Sequence, residues 1–144
     1  MAYQGNFVIK NRNKYIGNAD NIIYRSSWEL RLMCYLDSNP SIKKWSSEEI
    51  SIAYIHNGSQ HRYYPDFYVE KSDGEKLLIE VKPKYQTLPP KTPKDARGKK
   101  RFLKESFVYS KNRAKWEAAE KFCQRNNMKF VIMTEDHLLH SSNK

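Results

Sequence analysis

Residues 63–84 read YYPDFYVEKSDGEKLLIEVKPK, and this stretch decides the fold. Two runs rich in β-branched and aromatic residues flank a Ser-Asp-Gly segment, a pattern that predicts a β-hairpin. Apolar and polar residues alternate along both runs, as they do in strands that bury one face. Asp66, Glu80 and Lys82 all fall on the polar face. A strand would more readily carry Val or Thr there, so these charges form either a functional site or a solvated strand face with Asp66 as a strand-edge acid.

The loop length sets which residues lie opposite each other in this hairpin. A two-residue turn would bring odd-numbered positions of one strand opposite even-numbered positions of the other and mix the two faces. A three-residue loop at 72–74, with Gly74 in the left-handed conformation, pairs Lys71 with Glu75 and keeps the apolar faces together. The side chains that this register buries together are Tyr63, Pro65, Phe67, Val69, Leu77, Ile79 and Val81.

The same register places Asp66 directly opposite Glu80, with Lys82 two residues further along the same face. Directly opposed side chains have Cβ atoms about 4.5–5.5 Å apart. Two carboxylates about 5 Å apart repel by roughly 3 kcal/mol at an effective dielectric near 20, and one lysine offsets only part of this. A hard divalent cation, Mg²⁺ or Mn²⁺, would offset more because it prefers oxygen ligands. The sequence has no convergent His and Cys set that would favour zinc.

The rest of the chain predicts an α/β (α+β) domain. A helix begins after Ser26, which forms the S-x-x-E pattern of a capping box with Glu29. The other predicted elements are an irregular arm at residues 1–25, strands at 50–55, 61–70 and 76–82, a Pro- and Lys-rich loop at 83–98, helical segments at 97–110 and 112–127, the second of them capped by Asn112, and a strand at 129–134. This αβββαβ order predicts a central mixed sheet flanked by helices, within a single domain of residues 1–144.

The positive charge of the chain is concentrated in one segment. The formal net charge is +10, and residues 82–104 hold nine Lys or Arg against one acid, Asp95. Such a concentration of positive charge favours nucleic-acid binding over a merely solvated loop. No base-reading module is present, so we expect weak sequence preference. The predicted phosphate contacts are Lys84, Lys99, Lys100, Arg101 and Lys104.

Other features of the sequence exclude several classes of protein. No apolar run approaches the roughly 20 residues that a membrane span requires, and residues 1–26 contain no apolar signal region. We therefore expect a protein that is neither membrane-bound nor secreted. Cys34 and Cys123 lack metal-site spacing, which indicates a reducing compartment and neither a disulfide nor a zinc site.

Pro65-Asp66 followed by Glu80-Val81-Lys82 resembles the active-site signature of the PD-(D/E)XK nuclease superfamily, whose core has the same αβββαβ order. The joint match of motif, element order and hairpin register is more specific than the short motif alone. The resemblance implies an active enzyme that hydrolyses DNA phosphodiester bonds with the help of Mg²⁺ or Mn²⁺.

The resemblance also implies a role for each residue of the signature. Asp66, Glu80 and the backbone carbonyl of Val81 would bind the metal ion. Lys82 would position or activate the attacking water and stabilise charge on the phosphorane. Glu29 would complete the acidic cluster as a catalytic and metal-binding residue, although its place in a capping box would explain it without any catalytic role.

Almost the whole chain further resembles the head completion nucleases of T-even-like tailed phages, in the segments MAYQG, YRSSWE, LDSNPSIKKWSSE, IEVKPK, KKRF and KFVIMTED. The core alone is similar to transposon endonucleases and Holliday-junction resolvases. The resemblance implies a role in head completion and head–tail joining during virion assembly. It implies DNA and phage head or neck proteins as partners, and a location in the host cytoplasm during assembly or in the virion.

Two other functions remain open on the sequence. The chain could be a structural head–tail joining protein that uses a nuclease fold for docking, with incidental acids. It could also be a non-enzymatic DNA-binding module that relies on the basic segment. Cleavage assays on folded active-site variants separate these hypotheses from the nuclease.

Overall fold

The computed structural model describes residues 4–137, so the first three residues of the predicted arm lie outside the described part. The helices and strands are, in chain order, β1 (Gly5–Asn6), β2 (Ile23–Tyr24), α1 (Ser27–Ser38), β3 (Ile42–Ser47), β4 (Ile52–His56), β5 (Ser59–Tyr63), β6 (Phe67–Lys71), β7 (Lys76–Val81), α2 (Lys99–Arg125) and β8 (Lys129–Met133). No helix in this part of the chain is long and apolar enough to cross a membrane.

The centre of the fold is a four-stranded mixed sheet with the strand order β3-β6-β7-β8. β3, β6 and β7 are antiparallel neighbours, and β8 pairs parallel to β7. Together with α1 and α2, these strands form the predicted αβββαβ core, which is therefore confirmed. One apolar core lies around Trp45 and Phe67 with the buried face of α1, and a second lies around Leu78 with the buried face of α2.

The hairpin register is as predicted. Phe67 pairs with Ile79 and Glu70 pairs with Lys76. Beyond them, the Lys71 N–H donates to the Glu75 carbonyl at 2.8 Å. Gly74 has a φ of 95°, the left-handed conformation that the three-residue loop requires.

The prediction of one continuous strand over 61–70 is wrong. Pro65 has no N–H to donate to a ladder, and the chain breaks there into β5 and β6, which belong to different sheets. The break also moves Tyr63 away from the face predicted for it. Tyr63 is buried with Leu78 against α2, whereas Phe67 is buried with Ile79 in the other core.

The first strand of the core is β3, which the sequence reading missed. Its sequence, IKKWSS, is mostly polar, and the register with β6 shifts between Ile42 and Lys44, so the alternation is interrupted. The strand predicted at 50–55 exists as β4, but it pairs only with β5 in a separate hairpin. The turn of that hairpin has positive φ at Asn57 (51°) and Gly58 (76°), the pattern of a type I′ turn.

The N-terminal arm is more ordered than predicted. β1 and β2 pair antiparallel, and Ile9, Tyr15 and Ile22 are buried in the core. The ring of Tyr15 packs edge-on against Trp45, with ring centroids 4.9 Å apart. These scattered apolar residues have no period that predicts an element, and they are buried in the core that contains Trp45.

α2 is one helix of 27 residues and not two segments. The predicted cap, Asn112, is only 6% exposed and lies within it. The helix continues there because it packs on the β4–β5 hairpin, where His56 Nε2 lies 3.1 Å from Ser110 Oγ and the His56 ring contacts Phe107 edge-on. The loop at 83–98 lies between β7 and α2 as predicted, and contains two short 3₁₀ turns.

Replacement of Gly74 tests the loop that sets the register. Gly74→Ala should lower the free energy of unfolding by about 1 kcal/mol, because alanine disfavours positive φ. A Cβ at this position would meet no atom within 4 Å, so the loss is conformational and not steric. Gly74→Asn should lose less, since asparagine tolerates the left-handed region. Urea denaturation measures both; equal losses, or no loss in either variant, would contradict this assignment of the loop.

Candidate active site

The hairpin register brings Asp66 and Glu80 together at the ends of the two inner strands of the central sheet. Asp66 follows the break at Pro65 and precedes β6, and Glu80 is the penultimate residue of β7. Continuation of the observed pairing by one residue sets the two opposite each other. Lys82 follows directly after β7, and its N–H donates to the Met133 carbonyl of β8 at 2.9 Å. Three residues predicted to act together are therefore held by three neighbouring strands.

Asp66 is held by the backbone of β7. Its Oδ2 accepts a hydrogen bond from the Val81 N–H at 2.7 Å. Burial first, and then the charge of Glu80, raise the pKa of Asp66 well above its ordinary value, while the Val81 hydrogen bond opposes the rise. Since the N–H and C=O of a residue in a strand point to the same side, the Val81 carbonyl is directed toward Asp66 as well.

Glu80 is the more enclosed carboxylate, with 5% of its surface exposed. The hydroxyl of Tyr63, at the end of β5, donates to Glu80 Oε1 at 2.8 Å. The other oxygen, Oε2, lies 3.7 Å from Lys82 Nζ. The pKa of Tyr63 is raised, mainly by burial and secondly by the charge of Glu80. Its hydroxyl therefore stays protonated and remains a donor. The two oxygens of Glu80 therefore face two different partners.

Glu29 lies on the first turn of α1, within electrostatic range of Asp66 and Glu80. Ser26 Oγ accepts from the Glu29 N–H at 3.1 Å, but Glu29 Oε1 accepts from the Arg25 N–H and not from Ser26, so only half of the capping box forms. Burial is the largest cause of the raised pKa of Glu29. The charge of Glu29 in turn contributes to the raised pKa of Asp66. Helix capping therefore accounts for the presence of Ser26. The Glu29 carboxylate does not make the bond to Ser26 that a complete capping box requires.

Sequence reasoning missed an ion pair beside this cluster. Arg25 donates to both carboxylate oxygens of Glu48, at 2.8 and 3.0 Å. Glu48 follows β3 with a φ of 55°, a conformation that a non-glycine residue adopts at a cost, and its N–H donates to the Asp66 carbonyl at 3.1 Å. The backbone of Asp66 is therefore held from the β3 side by a contact that no sequence pattern signals.

Two further residues at the site were not singled out in the sequence. Tyr63 was assigned to the opposite face because the break at Pro65 was not foreseen. Lys115, in the middle of α2, has its Nζ 5.7 Å from the centroid of the Tyr63 ring. In a chain with 26 Lys and Arg, no single helix lysine stands out.

The donors at the site suit a hard divalent cation in their chemistry. Two carboxylates and a strand carbonyl are oxygen ligands, and such ions complete their shell with water and substrate oxygens. Over residues 4–137, no three His, Cys, Asp or Glu side chains are grouped closely enough to hold a metal ion by themselves. The protein ligands would therefore be Asp66, Glu80 and the Val81 carbonyl; the predicted third carboxylate, Glu29, does not join them in a group of three in the described part of the chain.

The residues predicted to contact DNA phosphates are all exposed, but they form two groups. Lys84 follows the site directly and pairs with Asp136 at 3.1 Å. Lys99, Lys100, Arg101 and Lys104 lie on the first turns of α2, across the proline-rich loop. Between the loop and α2 is a cleft of about 540 Å³ that Arg101 lines together with Tyr85 and Leu88.

Comparison with known proteins gives two matches. Residues 39–135 match the family model described as TnsA-like endonuclease N terminal, a span that includes Asp66, Glu80 and Lys82 but not Glu29. The chain is also 42% identical over 142 residues to the head completion nuclease of Enterobacteria phage T4, which covers 96% of this chain and 95% of that protein. The mixed sheet with flanking helices fits the PD-(D/E)XK-like fold. The chain belongs to the family of TnsA-like endonuclease N-terminal domains.

Proposed function

We propose that this protein is a divalent-metal-dependent deoxyribonuclease that hydrolyses phosphodiester bonds. The observation that supports this best is the opposition of Asp66 to the buried Glu80, where desolvation first, and then the charge of Glu80, raise the pKa of Asp66. A protein without a cation to bind would gain stability from replacing Asp66, whose charged form its surroundings disfavour, so its presence indicates a binding role. Membership in an endonuclease family supports the same conclusion.

The proposed metal ligands are Asp66, Glu80 and the carbonyl of Val81, with Mg²⁺ as the first choice and Mn²⁺ as the alternative. When bound, such an ion acts as a Lewis acid on the phosphate and lowers the pKa of a coordinated water. The residues orient this arrangement: the Val81 N–H holds Asp66 Oδ2, and the Tyr63 hydroxyl holds Glu80 Oε1. Ligands held by such second contacts bind metals more tightly.

Lys82 and Glu29 complete the proposed catalytic set. The Lys82 ammonium lies 3.7 Å from Glu80 Oε2, beyond a good hydrogen bond, and its side chain is 25% exposed, so it can also reach a water or a phosphate oxygen. There it would position the attacking water and stabilise negative charge as it develops. Glu29 would add a third carboxylate from α1.

DNA would reach the site along the basic segment of residues 82–104. The proposed phosphate contacts are Lys84 and, on α2, Lys99, Lys100, Arg101 and Lys104. Such contacts are independent of base sequence, which accords with weak sequence preference. In the absence of DNA, Arg101 pairs with Glu105 and Lys84 pairs with Asp136. Both are exposed surface pairs that contribute little to stability, so a DNA phosphate can replace the carboxylate in each.

We propose head completion in a tailed phage as the biological role. The support is the 42% identity, over almost the full length of both chains, to a protein named head completion nuclease. In that role the chain acts in the host cytoplasm on particles during assembly, processes DNA and contacts head or neck proteins of the virion.

The nuclease proposal predicts metal-dependent cleavage of DNA. Purified protein should cut supercoiled and linear DNA with Mg²⁺ or Mn²⁺ and not with EDTA. Asp66→Ala and Lys82→Ala should each lower the cleavage rate by about 100-fold or more, because they remove a metal ligand and a stabilising cation. Gel assays measure the rates, and circular dichroism confirms that the variants are folded.

Lys121→Ala is the matched control for Lys82→Ala, since Lys121 is an exposed lysine on α2 away from the cluster. It should cleave at the wild-type rate. Cutting in EDTA, or full activity in both active-site variants, would refute the proposed site. A wild-type protein that shifts DNA mobility without cleaving it would favour a DNA-binding module.

The proposed role in head completion can be tested by complementation. The wild-type gene should restore infectious particles to a phage T4 that lacks its own head completion nuclease, and the Asp66→Ala gene should not. The titre of infectious phage is the measurement. Restoration by the folded but inactive variant would instead support a structural head–tail joining protein.

Metal-free stability should depend on the charge of Asp66. Because its pKa is raised, ionisation destabilises the folded protein; this destabilisation is absent below the unfolded-state pKa, grows as pH rises above it and is complete above the folded-state pKa. Asp66→Asn should therefore raise the free energy of unfolding in EDTA at neutral to alkaline pH by on the order of 1 kcal/mol. The gain should vanish at acidic pH.

Urea denaturation at several pH values measures this gain. Mg²⁺ should stabilise the wild type but not Asp66→Asn, since a ligand that binds only the folded state shifts unfolding. Glu117→Gln changes charge equally at an exposed position of α2 and should show neither effect. A metal-free Asp66→Asn protein less stable than wild type at alkaline pH would show that the carboxylate is not a source of repulsion.

A further inference from the structure

Lys115 lies on the face of α2 that packs toward the active site. Its neighbours Trp116 and Ala119 are buried in the core that also contains Tyr63 and Leu78. One turn earlier, Asn112 is buried as well. The stem of Lys115 is therefore held by the packing of the helix, and its side chain is partly covered.

A short chain of contacts connects the Lys115 ammonium to the carboxylates. Its Nζ lies 5.7 Å from the centroid of the Tyr63 ring, and the hydroxyl of that ring donates to Glu80 Oε1 at 2.8 Å. The ammonium thus faces the tyrosine that orients Glu80. Lys82 approaches the same carboxylate through its other oxygen.

Lys115 carries no compensating ion pair. Among residues 4–137, every salt bridge within 4.0 Å involves other cations. Burial first, and then the charges of Lys82 and Lys111, lower the pKa of Lys115, while the charges of Glu80 and Asp66 oppose this. A partly buried ammonium with only a π face beside it is unfavourable in the free protein. An anion that arrives with the substrate would remove this cost.

We propose that Lys115 is a second lysine of the active site and contacts the scissile phosphate of bound DNA. The inference rests on the proposed nuclease function and adds a catalytic residue to it. Lys115 keeps its proton throughout and supplies positive charge to the phosphate oxygens as negative charge accumulates on them. Tyr63 positions both partners, because its ring supports the Lys115 ammonium and its hydroxyl holds Glu80.

A structural alternative is that Lys115 only stabilises the fold through its contact with the Tyr63 ring. The two readings differ in what a substitution changes. A structural lysine would affect stability and leave the rate constant of the folded protein unchanged. A lysine that contacts the scissile phosphate would affect the rate constant of cleavage, with little effect on overall DNA affinity, since many other phosphates are also contacted.

The test compares Lys115→Met, which keeps the apolar stem, with Lys115→Arg, which keeps the charge. Single-turnover cleavage with saturating protein and Mg²⁺ gives the rate constant, and titration of DNA in metal-free buffer gives the Kd. Lys115→Met should lower the rate constant by about 100-fold and change the Kd by less than about threefold. Lys115→Arg should recover part of the rate.

Lys121→Met is the matched control on the exposed face of α2 and should change neither quantity. Lys115→Gln, which keeps a polar head group, serves as a second neutral variant if Lys115→Met does not fold, and its rate constant should fall similarly. Thermal unfolding is measured for every variant.

A wild-type rate constant in the folded neutral variant would overturn the proposal, as would a loss of DNA affinity as large as the loss of rate. A different result is expected if the proposed nuclease function itself is wrong. In that case the wild type itself cuts no DNA with any divalent metal, whereas failure of this inference alone leaves Asp66→Ala and Lys82→Ala inactive and Lys115→Met active.

Discussion

The opposition of Asp66 and Glu80 across the β6–β7 hairpin is the constraint on which the rest of the site depends. Two carboxylates held this close repel each other. Each accepts one hydrogen bond that holds it in place: the Val81 N–H donates to Asp66, and the Tyr63 hydroxyl donates to Glu80. Neither donor is charged, so these two bonds orient the pair without neutralising it, and Lys82, 3.7 Å from Glu80 Oε2, offsets only part of the negative charge. The site therefore keeps negative charge available for a cation, at the expense of stability in the metal-free protein.

The β4–β5 hairpin turns an open sheet face into an enclosed site. This hairpin is not part of the central sheet. It places the Tyr63 hydroxyl in contact with Glu80, and it packs against the middle of α2 through His56. Without this cover, Glu80 would lie on a solvated strand face where water would screen its charge. The break at Pro65 is what makes the cover possible, because it lets the chain leave one sheet and enter the other within three residues.

Much of the fold and the centre of the site could be predicted from the sequence because they depend on local patterns. The alternation in residues 63–84 and the position of Gly74 were enough to set the register, and the register brings Asp66 and Glu80 together. β3 was not predictable, since its pairing depends on tertiary contacts and its alternation is interrupted. The contacts of Glu48 and Lys115 depend on how distant elements pack, which no spacing in the sequence encodes.

The charge distribution poses one more physical requirement, since a cluster of carboxylates repels the phosphates that a nuclease must bring to it. The basic segment of residues 82–104 attracts DNA over a distance of about one Debye length, roughly 8–10 Å, but its α2 residues lie across the proline-rich loop from the carboxylates. Positive charge is therefore also needed at the cluster itself. In the proposed mechanism, Lys82 would provide it from the end of β7 and Lys115 would provide it from α2, so that a phosphate leaving the exposed basic surface would meet cations until it reached the proposed metal site. α2 is one uninterrupted helix. Its first turns carry the exposed basic residues and its centre carries Lys115, so both groups of positive charge lie on the same element.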